Sequence, residues 1–338
     1  MRRPRYAGKN PRRFDEKYKE LSPERYAAEV EKVLASGKTP AGTHRPIMVD
    51  EVVACLRPVA GDRAIDCTLG GGGHAQAILE RVRPGGRLLG LDVDPLELPR
   101  AEARLRAAGF GEDIFIARQG NFAGLLRVLA NERIESADIV FADLGVSSMQ
   151  IDNPARGFSY KEPGPLDMRM NPSRGEPAST LLERISRETL AEILSEHADE
   201  PHAVFIASLL KDKPLNTTHA VERVVRTGLA RAFPRLEKAE VKMSVRRTFQ
   251  ALRIAVNDEF TALDALLRSL PLCLASGGRA AIITFHSGED RRVKKAFQTG
   301  LRGAVYSDIA REVVRSTKGE TFSNRRAAAA KLRWAVRA

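Results

Sequence analysis

The stretch Ala64-Ile65-Asp66-Cys67-Thr68-Leu69-Gly70-Gly71-Gly72-Gly73-His74 sets the architecture. A short apolar run ends in an acid, four glycines follow, and His74 to Val82 has amphipathic spacing. That order predicts strand, tight turn and helix. Four glycines let the backbone take positive φ and approach a ligand closely. The helix start beyond them offers unpaired N–H groups to an anion. A plain βα turn rarely needs more than one or two glycines, so a nucleotide-like ligand is expected here.

Beyond the turn, the same alternation repeats. Strands are expected at 63–69, 87–92, 113–118 and 138–143, and helices at 74–82, 95–108 and 123–134. Near-continuous apolar strands alternating with helices predict an α/β, Rossmann-like, mostly parallel sheet covered on both faces. Right-handed crossovers then bring every strand's C-terminal end to one edge, where such sheets bind ligands. Upstream, 48–56 reads as a short helix. Another is expected from Ser22, as N-cap before Pro23, to Gly37. Residues 1–21 read as a basic arm with interleaved Tyr6, Phe14 and Tyr18.

The alternation breaks after Asp143. Residues 144–177 are rich in Pro, Gly, Ser and Asp, too long for a plain connection and therefore functional. Helical patterns follow at 178–185, 187–198, 201–210 and 217–233, giving a helical insertion over 151–240. One long helix, 244–270, is expected to lead back to a fifth strand at 278–285. A basic helix at 287–299 and late edge strands at 304–315 and 331–337 complete the chain.

Composition narrows the partners. Net charge is +12 over 338 residues and is unevenly placed. Residues 291–338 hold thirteen Lys/Arg against Asp308, Glu312 and Glu320. The first 13 residues add Arg2, Arg3, Arg5, Lys9, Arg12 and Arg13 with no acid. Basic ends on a neutral middle suit a phosphate backbone. No apolar run approaches the roughly 20 residues of a membrane span, and the start has no apolar signal core. Cys55, Cys67 and Cys273 are far apart, so no disulfide framework is implied and a cytoplasmic location is expected. The six histidines show no ligand-pair spacing, so no metal is implied.

Two ligand classes use such a turn. Gly70, Gly72 and Ala75 fit the dinucleotide spacing. Asp66 favours S-adenosyl-L-methionine instead: a carboxylate repels a pyrophosphate but attracts an ammonium and a sulfonium. The absence of Arg or Lys from Asp66 to Leu79 points the same way. Asp92, ending the second strand, suits ribose hydroxyls, and Asp94 before Pro95 reads as the helix N-cap. Phe122 is placed either to pack on an adenine or in the core. Asp143 ends the fourth strand beside the turn, where a methyl group would be transferred.

Several strings together carry a resemblance: Asp66-x-Thr68-Leu69-Gly70-x-Gly72-Gly73-His74, Gly120-Asn121-Phe122, Asp143-Leu144-Gly145-Val146-Ser147-Ser148-x-Gln150, Arg156-Gly157-Phe158-Ser159, Gly164-Pro165-Leu166-Asp167-Met168-Arg169-Met170, Arg247-Thr248-Phe249-Gln250-Ala251-Leu252-Arg253-Ile254, and Phe285-His286-Ser287 with Glu289-Asp290. From about His44 to Arg333 the chain resembles the RsmH (MraW) family. The resemblance implies a class I S-adenosyl-L-methionine-dependent methyltransferase fold over 44–150 and 241–338, with 1–43 as a basic N-terminal extension. It implies methylation of a cytidine N4 in the decoding region of 16S rRNA, with the small ribosomal subunit as partner. It puts the donor contacts on Gly72, Gly73, His74, Asp92, Phe122, Asp143 and Gln150. Against the family pattern, Met243-Ser244-Val245-Arg246 replaces a His-Pro-Ala-Thr string, Gly288 stands for a leucine, and the region from Thr299 to Asn324 is short.

A cytosine N4 amine is a poor nucleophile because its lone pair is delocalised into the ring. An acceptor at Asp143, or a carbonyl of 144–147, would orient it and stabilise charge developing on nitrogen. The target base must leave its stack. Phe158 and Tyr160 are candidate platforms for it, or else pack that loop onto the insertion. Arg156 and Arg169 are candidate phosphate contacts, with Asp167 as an alternative partner for Arg169. Arg246, Arg247, Arg253, Arg291, Arg292, Lys294 and Lys295 form a candidate phosphate track. The alternatives are a methyltransferase of another rRNA base, a catalytically silent RNA-binding assembly factor, or, least favoured, a dinucleotide oxidoreductase. The sequence leaves monomer and homodimer both open.

Overall fold

The computed structural model describes residues 46–211 and 213–338. The arm expected at 1–21 and the helix expected at 22–37 lie outside them. The elements run α1 (Val49–Leu56), β1 (Arg63–Asp66), α2 (Gly73–Val82), β2 (Arg87–Asp92), α3 (Leu98–Ala107), β3 (Phe115–Gln119), α4 (Leu125–Asn131) and β4 (Ala137–Asp143). A short helix, α5 (Ser148–Asp152), opens the long loop. Five helices follow: α6 (Ala178–Arg184), α7 (Arg187–Ala198), α8 (Ala203–Leu210), α9 (Thr218–Ala232) and α10 (Lys238–Asn257). The chain ends with α11 (Glu259–Cys273), β5 (Leu274–Thr284), α12 (Ser287–Arg302), β6 (Tyr306–Ile309), α13 (Lys318–Ser323) and β7 (Lys331–Arg337).

The seven strands are ordered β3-β2-β1-β4-β5-β7-β6. β1 to β5 are parallel, and β7 is antiparallel to both β5 and β6. This is the class I methyltransferase arrangement, with the order reversing between β1 and β4. Strand side chains alternate between two cores, as a period of two requires. Ala64, Leu88, Ile139 and Phe141 face the layer holding α1, α2 and α3. Ile65, Leu89, Leu91, Val140 and Ala142 face α4, α11 and α12. A third core lies among α6 to α10, from Leu166 to Leu252.

Three expectations are corrected. The long helix at 244–270 is two helices, because Asp258 takes a left-handed conformation (φ 49°) and breaks the ladder. The helical period runs through Asn257-Asp258-Glu259 without Gly or Pro, so nothing in the pattern marks the break. The last strand is not at an edge: β7 inserts between β5 and β6. Asp94 is not the N-cap of α3, which starts four residues later behind Glu97. Among the described residues, no helix is long and apolar enough to cross a membrane.

Candidate active site

The glycine turn closes β1 onto α2. Gly70 (φ 49°) and Gly72 (φ 71°) hold the left-handed conformations that an L side chain resists. A Cβ at Gly72 would lie 2.8 Å from Arg104 Nη2 and 3.1 Å from Leu105 Cδ1. Asp92 at the end of β2 fixes the turn: its Oδ2 accepts from Gly70 N at 2.7 Å and its Oδ1 from Asp94 N at 2.8 Å.

Asp66 is fully buried at the end of β1. Its Oδ1 accepts from Thr68 N at 3.0 Å, while its Oδ2 has no partner among the described residues. Burial, with the charge of Asp92 nearby, pushes its carboxyl up to about 7. The Thr68 hydroxyl accepts from Asp143 N at 2.6 Å and lies 3.5 Å from Asp66 Oδ1, so one side chain ties together the ends of adjacent strands β1 and β4. Asp143 also keeps one oxygen, Oδ1, without a partner among the described residues. Burial, then Asp66 and Glu289, push its carboxyl up to about 8. Its side chain is 26% exposed. Asp92 rises to about 6, chiefly by burial, against the backbone bonds that stabilise its charge.

His74 is buried at the start of α2. Its Nε2 lies 2.8 Å from Ile47 O, which assigns the ring proton to Nε2 and leaves Nδ1 bare, 3.9 Å from Asp143 Oδ2. Burial lowers its pKa to about 4, so the ring is neutral. Phe122 opens the 3₁₀ turn after β3, with one part packed on the core below and the rest open.

The loop after β4 is tied down by buried polar contacts. Gln150 donates to Asp94 Oδ2 at 2.7 Å and accepts from Ser147 N at 2.8 Å, closing a capping box on α5. Arg156 Nη1 reaches the same Asp94 oxygen at 2.7 Å, and its Nη2 donates to the carbonyls of Arg169 and Met170. Asn257 clamps the far end, donating to Met168 O and accepting from Met170 N. The structure thus gathers three strand-end acids, the glycine turn and an anchored loop at one sheet edge.

Residues 41–338 match the MraW methylase family. The chain belongs to that family. It is 46% identical over 345 residues to the ribosomal RNA small subunit methyltransferase H 2 of Alkaliphilus metalliredigens, covering 100% of this chain and 98% of the relative. The ribosomal RNA small subunit methyltransferase H 1 of Agathobacter rectalis is 45% identical over 100% of this chain and 97% of its own. The ribosomal RNA small subunit methyltransferase H of an Anaeromyxobacter species is 43% identical over 86% of this chain and 96% of its own. The N-terminal 40 residues fall outside the family match, yet the first two relatives align across them.

Within this MraW methylase, several sequence readings change. Arg156 is buried against Asp94 and is not placed to hold a phosphate. Arg253 is largely buried and bonded twice to Glu259, at 2.7 and 2.8 Å, so it leaves the phosphate track. Arg291 pairs with Asp199, and Arg292 pairs with Asp264 over the Phe260 ring. Arg169 takes its alternative partner, Asp167, through two bonds. Phe158 and Tyr160 pack on the third core, Tyr160 edge-on to Phe249 at 5.0 Å. Arg247 stands 4.0 Å from the buried Glu200, its side chain 35% exposed.

Sequence reading missed Thr68, Asp94 and Arg104. Arg104 brings a cation to the turn from α3, with Nε and Nη2 buried and unpartnered among the described residues. It weakens the argument from missing cations, because tertiary packing supplies a cation that the turn's own sequence lacks.

Proposed function

We propose that the chain is an S-adenosyl-L-methionine-dependent small-subunit rRNA methyltransferase acting on a cytidine N4 in the decoding region of 16S rRNA. The names of its whole-length relatives support the RNA class. The observation that carries the donor is the set of orphaned buried atoms around the turn. Asp66 Oδ2 and Asp143 Oδ1 await a cation, and Arg104 Nε and Nη2 await an anion. A zwitterionic amino-acid tail on a sulfonium meets all of them, whereas a pyrophosphate would meet the two acids as like charges.

When bound, the donor supplies an electrophilic methyl group. Gly72, Gly73 and His74 receive it through backbone at the turn and helix start. Asp92 takes the ribose and Phe122 the base. Gln150 acts by holding the loop, since both ends of its amide already bond within the protein. Asp143 accepts a hydrogen bond from the target amine, turning its lone pair toward the methyl group. Positioning supplies most of the acceleration, since no covalent enzyme intermediate is needed. Arg247 and the exposed face of Tyr160 contact the RNA.

The test is to delete the gene, isolate 16S rRNA and map methylated nucleotides by mass spectrometry. The purified protein should then restore the lost mark on small subunits with labelled donor. Unchanged cytidine N4 methylation in the deletion strain would refute the target. Label on another base would move the proposal to that base.

A further inference from the structure

Three acids meet at the site, and their hydrogen bonds separate them. Asp92 has both oxygens on backbone N–H groups, which stabilise its charge. Asp66 and Asp143 each keep one buried oxygen with no partner among the described residues, and Thr68 holds the two strand ends together. The charge of Asp66 raises the Asp143 carboxyl further, so the two do not both ionise cheaply.

Their surroundings offer little compensation. Asp66 faces Asp92, the neutral thiol of Cys67 and the Thr68 amide. Asp143 faces Asp66, the neutral ring of His74 and Glu289 from α12. The charge of Glu289 is already met by His286 and Arg253. Arg253 is committed to Glu259. Arg104 stands at the turn, against Gly71 and Gly72, and makes no ion pair with either acid.

We propose that Asp66 and Asp143 work as one charge-sensing acid pair, which keeps a proton until the sulfonium donor binds and recovers one when the donor becomes a neutral thioether. This rests on the donor reading above. The balance closes. The S–C bond breaks with its electron pair returning to sulfur, the N–C bond forms from the amine lone pair, and the amine loses one proton, which the pair takes up. Charge on the pair is therefore present while the sulfonium is present and gone when it is gone. Two consequences follow for catalysis. Asp143 becomes an acceptor for the amine only when the donor is in place. The reprotonated pair no longer attracts the product, which helps it leave. Asp66, buried behind Thr68, takes no part in contacting RNA; it is a positioning residue for charge.

Calorimetry on the full chain near pH 7 reads this directly. S-adenosylmethionine and S-adenosylhomocysteine share the ammonium, carboxylate, ribose and adenine, and differ in the sulfonium. Each is titrated in buffers of different ionisation enthalpy. The sulfonium ligand should release about one proton more than the thioether. Its affinity should rise up to about tenfold per pH unit more steeply below the pair's titration. Asp66→Asn should reduce the extra proton, whereas Asp92→Asn should weaken both ligands and change the difference less. Equal proton counts for the two ligands on the unaltered chain would overturn the pair while the donor reading stands. Failure of both ligands to bind would overturn the donor reading and the pair with it.

Discussion

For single residues, the site is governed by which buried atoms lack partners. Asp143→Asn keeps the shape and removes the charge. Because an oriented acceptor contributes about 10²–10⁴ in rate, single-turnover methyl transfer should fall by about that factor. Donor affinity should fall much less, since Asp66 and the turn remain. The same acids set a pH dependence of stability. Both carboxyls sit above their unfolded value, near 7 and 8. The folded state therefore holds more protons than the unfolded one between about pH 4 and 8. Their contribution is complete below the unfolded pKa and is lost as pH rises through the folded values. Thermal denaturation of the donor-free protein should show a melting temperature that falls from about pH 4 to about pH 8 through these groups, with no further fall from them above that. Asp143→Asn should flatten that fall, and a slope unchanged by the substitution would contradict the assignment.

Among the elements, the glycine turn and the Asp94 node hold the site in place. Gly72→Ala puts a side chain at φ 71° and within 2.8 Å of Arg104. The left-handed conformation alone costs about 1–2 kcal/mol, and the displaced turn should also weaken donor binding, measurable by denaturant titration and calorimetry. Asp94→Ala leaves Arg156 charged and buried with its carboxylate partner gone. Breaking a buried pair costs about 3–5 kcal/mol, so this substitution should be the more damaging to stability. The turn was legible because four glycines after an apolar run have few other uses, and β2 was legible to the residue because its boundaries are polar. The Asp94 node was not legible. An acid before a proline reads locally as a cap, and its true partners, Gln150 and Arg156, lie 56 and 62 positions away. The break at Asp258 was hidden for a similar reason, since its left-handed turn carries no Gly or Pro.

Across the whole molecule, charge divides into cations held by the fold and cations left for a partner, and sequence cannot tell them apart. Arg246, Arg247 and Arg253 lie on one helix, α10. Arg253 is spent on Glu259 in the interior. Arg246 is exposed, and Arg247 stands at the surface beside Asp199 and Glu200. The proposed RNA interface therefore falls on the first two. Removing one cation from a phosphate should reduce the slope of log affinity against log salt by about 0.7–0.9. Replacing Arg246 and Arg247 together by Ala should lower the slope for small-subunit RNA by up to about 2 and weaken binding at low salt, with S-adenosylmethionine affinity unchanged. Arg253→Ala should behave oppositely: it strands Glu259 in the interior, lowers stability and leaves the salt slope of the folded fraction intact. Filter binding across a salt series, with a melting curve for each variant, separates the two. An unaltered slope in the double variant would take α10 out of the RNA interface and shift the search to the exposed Lys294 and Lys295 of α12.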